Sequence, residues 1–186
     1  LNLDVPASEI AISLGRPLAE VLGSYSKESL DELIETYREY NDTRHDSMAK
    51  LIAGVTETLE VLSKASLSLG VVTGKRKYLA MRGMQLHGID AYMQAIVTPE
   101  DTQLHKPNPE PIFKALEILG KQPEEAIMVG DSPVDLETAR NAGTLSAAVM
   151  WSAAPKRHLL AQKPDFLLQK MTDLIPICLD TEQAYA

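Results

Sequence analysis

Leu30, Leu33, Ile34, Tyr37 and Tyr40 recur at intervals of three and four residues, with Asp31, Glu32, Glu35 and Glu39 between them. The spacing predicts an amphipathic helix with an apolar stripe and an acidic outer face. Ahead of it, residues 6–14 fit a shorter helix stopped at Gly15, and residues 17–22 another stopped at Gly23. No strand pattern stands out before residue 50. After Gly54, helical patterns alternate with short apolar runs of strand length. Val55, Leu59 and Leu62 mark a helix leading to the run 67–73, and a helix over 78–86 leads to the run 95–98. Ile112, Leu116 and Leu119 mark the next helix, which leads to 126–129. A helix over 134–142, closed at Gly143, leads to 146–149, and a last run covers 166–168. Such alternation implies βαβ units and a mostly parallel open sheet covered by helices. The expected architecture is α/β, with a helical module over 1–50 and an open α/β domain over 51–186.

Composition narrows the classes. The 186 residues are 45% apolar and 24% charged, which is an ordinary globular balance. Eighteen Lys and Arg against 26 Asp and Glu leave a net charge of −8, without a basic run. A phosphate backbone is therefore not an expected ligand, and nucleic acid is not an expected partner. No window approaches the roughly 18 apolar residues of a membrane span, and Leu1-Asn2-Leu3-Asp4 does not read as a secretory leader. A cytoplasmic protein without a membrane partner is expected. Cys178 stands alone, so no internal disulfide forms. Nothing in the pattern sets the number of subunits.

In an open parallel sheet, functional groups collect beyond the carboxyl ends of the strands, where the following helix N-termini converge on one crevice. The run 67–73 ends in Thr73-Gly74-Lys75, where a hydroxyl and free backbone N–H groups suit a phosphate; threonine also ends many strands that bind nothing. The run 126–129 continues into Gly130-Asp131-Ser132-Pro133-Val134-Asp135, with Ser132 placed as an N-cap and Pro133 at the first helical position. Asp131 and Asp135 then lie one turn apart at one mouth. Two carboxylates so close repel unless a cation sits beside them, and hard oxygen donors suit Mg²⁺. The other reading of Asp135 is a solvated helix-start acid favoured by the helix dipole. In His105-Lys106-Pro107-Asn108-Pro109-Glu110-Pro111, Asn108 can cap a helix whose first turn tolerates proline. Lys106 is thereby fixed ahead of that helix, either beside phosphate or carboxylate oxygens or as an exposed lysine.

Taken in order, Thr73, Lys106-Pro107 and Gly130-Asp131-x-x-x-Asp135 resemble motifs II, III and IV of the haloacid dehalogenase (HAD) superfamily of phosphatases. The stretch from His105 to Pro111, Ala142-Gly143 and Pro164-Asp165-Phe166 are similar to the phosphoglycolate phosphatase branch. Trp151, the run Tyr37-Arg38-Glu39-Tyr40-Asn41, and His45-Asp46 look closest to its bacterial pyrophosphatase group. The resemblance implies a HAD-like Rossmannoid core with the helical module as its cap. It implies that Thr73 hydrogen-bonds the transferring phosphoryl group, that Lys106 neutralises charge, and that Asp131 and Asp135 hold Mg²⁺. Gly74 and Lys75 are expected to bind substrate, as are Gly15, Arg16, Arg44 and His45 on the cap, since planar arginine donors suit a phosphate-rich ligand. For Arg44 and His45 the alternative is a solvated helix end. His87 and His158 are expected to be surface or packing residues, and Cys178 a small buried hydrophobe.

One motif of the superfamily is absent: an Asp-x-Asp on a strand just before the cap, which supplies the nucleophile, the adjacent acid/base and a metal ligand. Asp4 lacks both the preceding apolar strand and a second aspartate two residues on. The expectation is that roughly 25–35 residues precede Leu1, enough for one strand and one cap helix, and that the 186 residues alone are inactive. The function expected of the complete protein is Mg²⁺-dependent hydrolysis of a small phosphate compound through an aspartyl-phosphate. Inorganic pyrophosphate is the preferred substrate, phosphoglycolate the near alternative, and a non-catalytic phosphate-binding relative the other class.

Overall fold

The computed structural model describes residues 5–6, 9–10, 13 and 15–179. The helix expected over 6–14 falls largely on residues outside that set, as does Asp4. The first helix described in full, α1 (Leu18–Tyr25), runs through Gly23 to an extended Ser26. Gly23 does not stop it, because its bare Cα faces the Leu30 side chain and α1 packs there against α2. Helix α2 (Leu30–Met48) follows the predicted periodicity, but Tyr37 and Tyr40 on its stripe remain exposed and only His45 is buried.

From α3 (Val55–Lys64) onward, strands and helices alternate: β1 (Gly70–Val72), α4 (Lys77–Leu86), β2 (Ala95–Val97), α5 (Glu110–Leu119), β3 (Ile127–Gly130), α6 (Pro133–Ala142), β4 (Leu145–Val149), α7 (Lys156–Ala161), β5 (Phe166–Leu168) and α8 (Leu174–Leu179). All paired strands are parallel, as the alternation requires. They form two sheets rather than one. β1 pairs β2 with Val71 opposite Ile96, and β3–β4–β5 form the second, with Val129 opposite Ala147 and Ala148 opposite Leu167. Among the described residues, one edge of β1 and one edge of β3 therefore have no strand partner.

The first strand is shorter than the run that predicted it. Leu69 leaves the ladder because its N–H donates to the Gln94 side chain at 2.6 Å, while its carbonyl accepts from the Gln94 N–H at 2.9 Å. Leu67 and Leu69 instead pack with Ile127 and Val129 against the main core of Leu62, Ala147, Val149, Leu168 and Leu174. Each buried leucine there contributes about 1.5–3 kcal/mol. Helix α5 presents Ala115 to Ala95 and Val97, covering the two-stranded sheet. The Asp165 carboxylate accepts from the Ser146 N–H and hydroxyl at 2.8 and 2.7 Å, tying the start of β5 to β4. Cys178 is half-buried against the main core. No helix among the described residues is long and apolar enough to cross a membrane.

Candidate active site

The carboxyl ends of β1 and β3 open into one cleft of about 970 Å³, walled on the other side by α1 and α2. Local sequence explains how each group reaches it. After β1, the Thr73 N–H donates to the Val97 carbonyl at 3.0 Å, holding the residue beside β2. The Thr73 Oγ1 accepts from the Lys75 N–H at 3.1 Å. With its oxygen engaged by that donor, the hydroxyl is left to donate its own proton into the cleft. Gly74 and Lys75 line the same wall, and space around the Gly74 Cα is open.

After β3, the helix start is a capping box. Ser132 Oγ accepts from the Asp135 N–H, and the Asp135 carboxylate accepts from the Ser132 N–H and hydroxyl at 3.1 and 2.7 Å. Asp135 is therefore a helix-start acid, but a buried one, 5% exposed. Its other oxygen accepts from Lys106 Nζ at 2.6 Å. Lys106 is brought there by the turn ahead of α5, where Asn108 Oδ1 accepts from the Glu110 N–H at 2.9 Å. The side chains of the pair are 10% and 7% exposed, so Lys106 is not the solvent-exposed lysine of the alternative reading. The Asn141 amide donates to the Pro107 carbonyl at 2.9 Å and steadies the same turn from α6.

Electrostatics separate the two aspartates. Burial alone would raise the Asp135 carboxyl, but the Lys106 ammonium and then the Ser132 donors outweigh it and hold the group below the usual carboxylate range. Asp131 opens to solvent at the cleft mouth, yet the walls thin its hydration and the Asp135 carboxylate lies within hydrogen-bonding reach. Desolvation first and that like charge second push its carboxyl up. A carboxylate facing another, with only the farther one neutralised, is a site that favours a cation. Two carboxylates with phosphate oxygens and water are a donor set Mg²⁺ accepts, although no group of three metal-ligating side chains occurs among the described residues. Asp131 is held in register from behind, since the Ser152 hydroxyl donates to its carbonyl.

From the helical side, Gly15 enters the cleft in a left-handed conformation, φ 86°, and a Cβ there would meet Ser132 Oγ at 2.5 Å. Only a glycine lets the chain cross so close to the α6 cap. Arg16 lines the cleft and pairs with Glu20.

A family model described as haloacid dehalogenase-like hydrolase matches residues 2–149. The chain belongs to this family. It is 39% identical over 171 residues to the pyrophosphatase PpaX of Bacillus cereus, covering 92% of this chain and 79% of that protein. It is 37% identical over 169 residues to the pyrophosphatase PpaX of Anoxybacillus flavithermus, covering 91% and 79%. The fold matches a haloacid dehalogenase-like family hydrolase from Streptococcus pneumoniae with a TM-score of 0.82 at 25% identity, over 94% of this chain and 82% of that one. It also matches a hydrolase from Pseudomonas syringae with a TM-score of 0.83 at 22% identity, over 97% and 85%.

The cleft of this HAD-like hydrolase brings together Thr73, Gly74, Lys75, Lys106, Asp131, Asp135, Gly15 and Arg16. Arg44 and His45 do not line it. The Arg44 guanidinium lies 4.7 Å from the centre of the Tyr40 ring. His45 is 4% exposed, with Nδ1 3.0 Å from Asp46 Oδ1 and its ring against Gly83 of α4. The resemblance implied a substrate-side His45, but the end of α2 that carries it turns toward α4 instead. Arg76 has no signal in the sequence reading, and Arg38 and Asn41 enter it only as part of the run 37–41 without a role; all three line the cleft. Asn41 follows Tyr37 by one helical turn, and both line the cleft.

Proposed function

We propose that this HAD-like hydrolase is a cytoplasmic, Mg²⁺-dependent phosphohydrolase whose preferred substrate is inorganic pyrophosphate, with α1 and α2 serving as the cap. The observation that carries the reading is the buried Lys106–Asp135 pair set beside Asp131 and Thr73 in one cleft. Phosphoryl transfer asks mainly for positioning and charge neutralisation. In this reading the Thr73 hydroxyl and the N–H groups of the following turn hold the phosphoryl oxygens. Lys106 balances their charge while remaining fixed by Asp135. Asp131, with the free lone pairs of Asp135, would hold Mg²⁺, which when bound neutralises phosphoryl charge. The walls supplied by α1 and α2 exclude water and meet the leaving group.

The family resemblance implies an aspartyl-phosphate. Asp131 and Asp135 are the acids that line the cleft among the described residues, and in this reading Asp131 serves Mg²⁺ and Asp135 fixes Lys106, which leaves neither as the nucleophile. The 186 residues are accordingly read as binding pyrophosphate and Mg²⁺ without turning substrate over, with hydrolysis requiring a further carboxylate. The relatives named as pyrophosphatases support the substrate choice.

Calorimetric titration of the chain with pyrophosphate, with and without Mg²⁺, tests this alongside a phosphate-release assay on pyrophosphate and phosphoglycolate. Saturable binding, tighter with Mg²⁺, lost in Thr73→Val and Asp131→Ala, and without phosphate release is the expected result. Absence of pyrophosphate binding would sink the reading. Phosphate release by the chain would keep the hydrolase assignment and overturn the inactivity, and a preference for phosphoglycolate would reassign the substrate.

A further inference from the structure

Five cationic side chains line the cleft in a chain whose net charge is −8. Three have partners: Arg16 pairs with Glu20, Arg76 Nη2 donates to both Asp42 carboxylate oxygens at 2.8 and 3.1 Å, and Lys106 donates to Asp135. Arg38 and Lys75 have no ion pair or side-chain hydrogen bond among the described residues. They come from opposite walls. Lys75 follows the Thr73 turn of the core, and Arg38 lies on α2, one turn before Asn41, which also lines the cleft. Arg38 stands at the seam between the cleft and a shallow groove on the outside of α2 lined by Asp31, Ile34, Glu35 and Glu39. It pairs with none of those three acids, although Glu35 is three residues away on the same helix and within ordinary reach of a helical ion pair. Positive charge without a carboxylate partner on both walls of a cleft is a field that suits an anion larger than one phosphate.

We propose that Arg38, across the cleft from Thr73, and Lys75, beside Thr73, form a second anion subsite that holds the leaving phosphate of a pyrophosphate-class substrate and so reads its length and charge. The inference rests on the phosphohydrolase reading above and adds to it the residues that set specificity. A planar guanidinium can grip two oxygens of the outer phosphate, and the Lys75 ammonium adds a point charge from the core side. Asn41 supplies a neutral donor beside them. A substrate that touches both walls also bridges α2 to the core.

Titration of the chain with pyrophosphate and with inorganic phosphate, in Mg²⁺ and at one fixed ionic strength, separates the possibilities. The wild type is expected to bind pyrophosphate about tenfold or more tightly than phosphate, as a charge-assisted contact at the second subsite requires. Arg38→Gln is expected to erase most of that preference while the phosphate affinity stays within about twofold, and Arg38→Lys to restore part of it. Lys75→Gln should narrow the preference in the same direction. If Arg38→Gln keeps the full preference, or weakens both ligands equally, the subsite is overturned and the phosphohydrolase reading stands. If the wild type binds neither ligand, that reading fails and the subsite falls with it.

Discussion

A methyl group on Gly130 would sit 2.3 Å from the Asp135 Cβ and 3.1 Å from its carboxyl carbon. Real Cβ atoms do not approach so closely, so the absence of a side chain at the end of β3 is what lets α6 bring Asp135 down onto the strand. Gly130→Ala must push Asp135 away from Lys106 and Ser132. Urea unfolding is expected to show a loss of about 1–3 kcal/mol for that overpacking, and titration a weakening of pyrophosphate binding of about tenfold or more through the displaced site. Gly74→Ala, with open space around the added carbon, is expected to change stability by less than about 0.5 kcal/mol. Equal effects of the two substitutions would show that Gly130 acts through chain flexibility and not through its contact with Asp135. The dipeptide Gly130-Asp131 was legible in the sequence, but the reason for its glycine was not. The steric partner is Asp135, five residues on, and only the cap geometry of α6 sets that distance.

At the scale of elements, the seat of α2 on the core is built at one helix end. His45 presses against Gly83 of α4, where a Cβ would stand 3.2 and 3.3 Å from the imidazole ring atoms. Around this contact Arg76 donates to Asp42, and Arg82 donates to Asp46 at 2.8 Å and to the Asp42 carbonyl at 3.4 Å. The acids of these pairs are more than one-third exposed, which puts each pair at about 0.2–1 kcal/mol. The buried imidazole against the glycine is thus the part of the seat that is sensitive to shape. Gly83→Val is expected to lift the C-terminal turns of α2 and raise hydrogen exchange there by about tenfold or more, equivalent to about 1.4 kcal/mol of local opening. Exchange within α6 should stay unchanged. Uniform acceleration in both helices would show global destabilisation instead and remove the special role of this contact. The periodicity of α2 was readable because its spacing is local. Which end touches the core was not, because the partner glycine lies on a different helix.

For the whole molecule, the cleft lies between two bodies of unequal character, a core with a continuous apolar interior and a helical pair with one buried side chain in its long helix. A ligand that touches both should hold the native arrangement together. Pyrophosphate at about 100 times its dissociation constant is expected to add about 2.7 kcal/mol to the unfolding free energy. At about 2–4 °C per kcal/mol for a chain of this size, the thermal midpoint should rise by several degrees in a melting experiment with Mg²⁺. Inorganic phosphate at the same multiple of its own constant adds the same free energy, so the comparison that matters is at equal concentration, where pyrophosphate should raise the midpoint more. An equal rise with both anions at equal concentration would mean that the cleft does not distinguish one phosphate from two.

The sequence by itself determined the order and type of the elements from α1 to β4 and the strand β5, because apolar spacing and caps act within a few residues, but its pattern marked neither α7 nor α8, and Gly23 does not end α1. The helix closed at Gly143, which is left-handed with φ 76°, and the Ser132 cap are both where local chemistry puts them. It also determined which strand ends carry Thr73, Lys106, Asp131 and Asp135, since parallel βαβ order sends alternate loops to one side. Tertiary structure decided the rest: that the strands divide into two sheets, that Lys106 is buried on Asp135 rather than exposed, and that His45 faces the core while Arg38 faces the cleft. Each of these depends on contacts between residues far apart in the chain. A side chain's surroundings there are set by packing of whole elements, which no local pattern encodes.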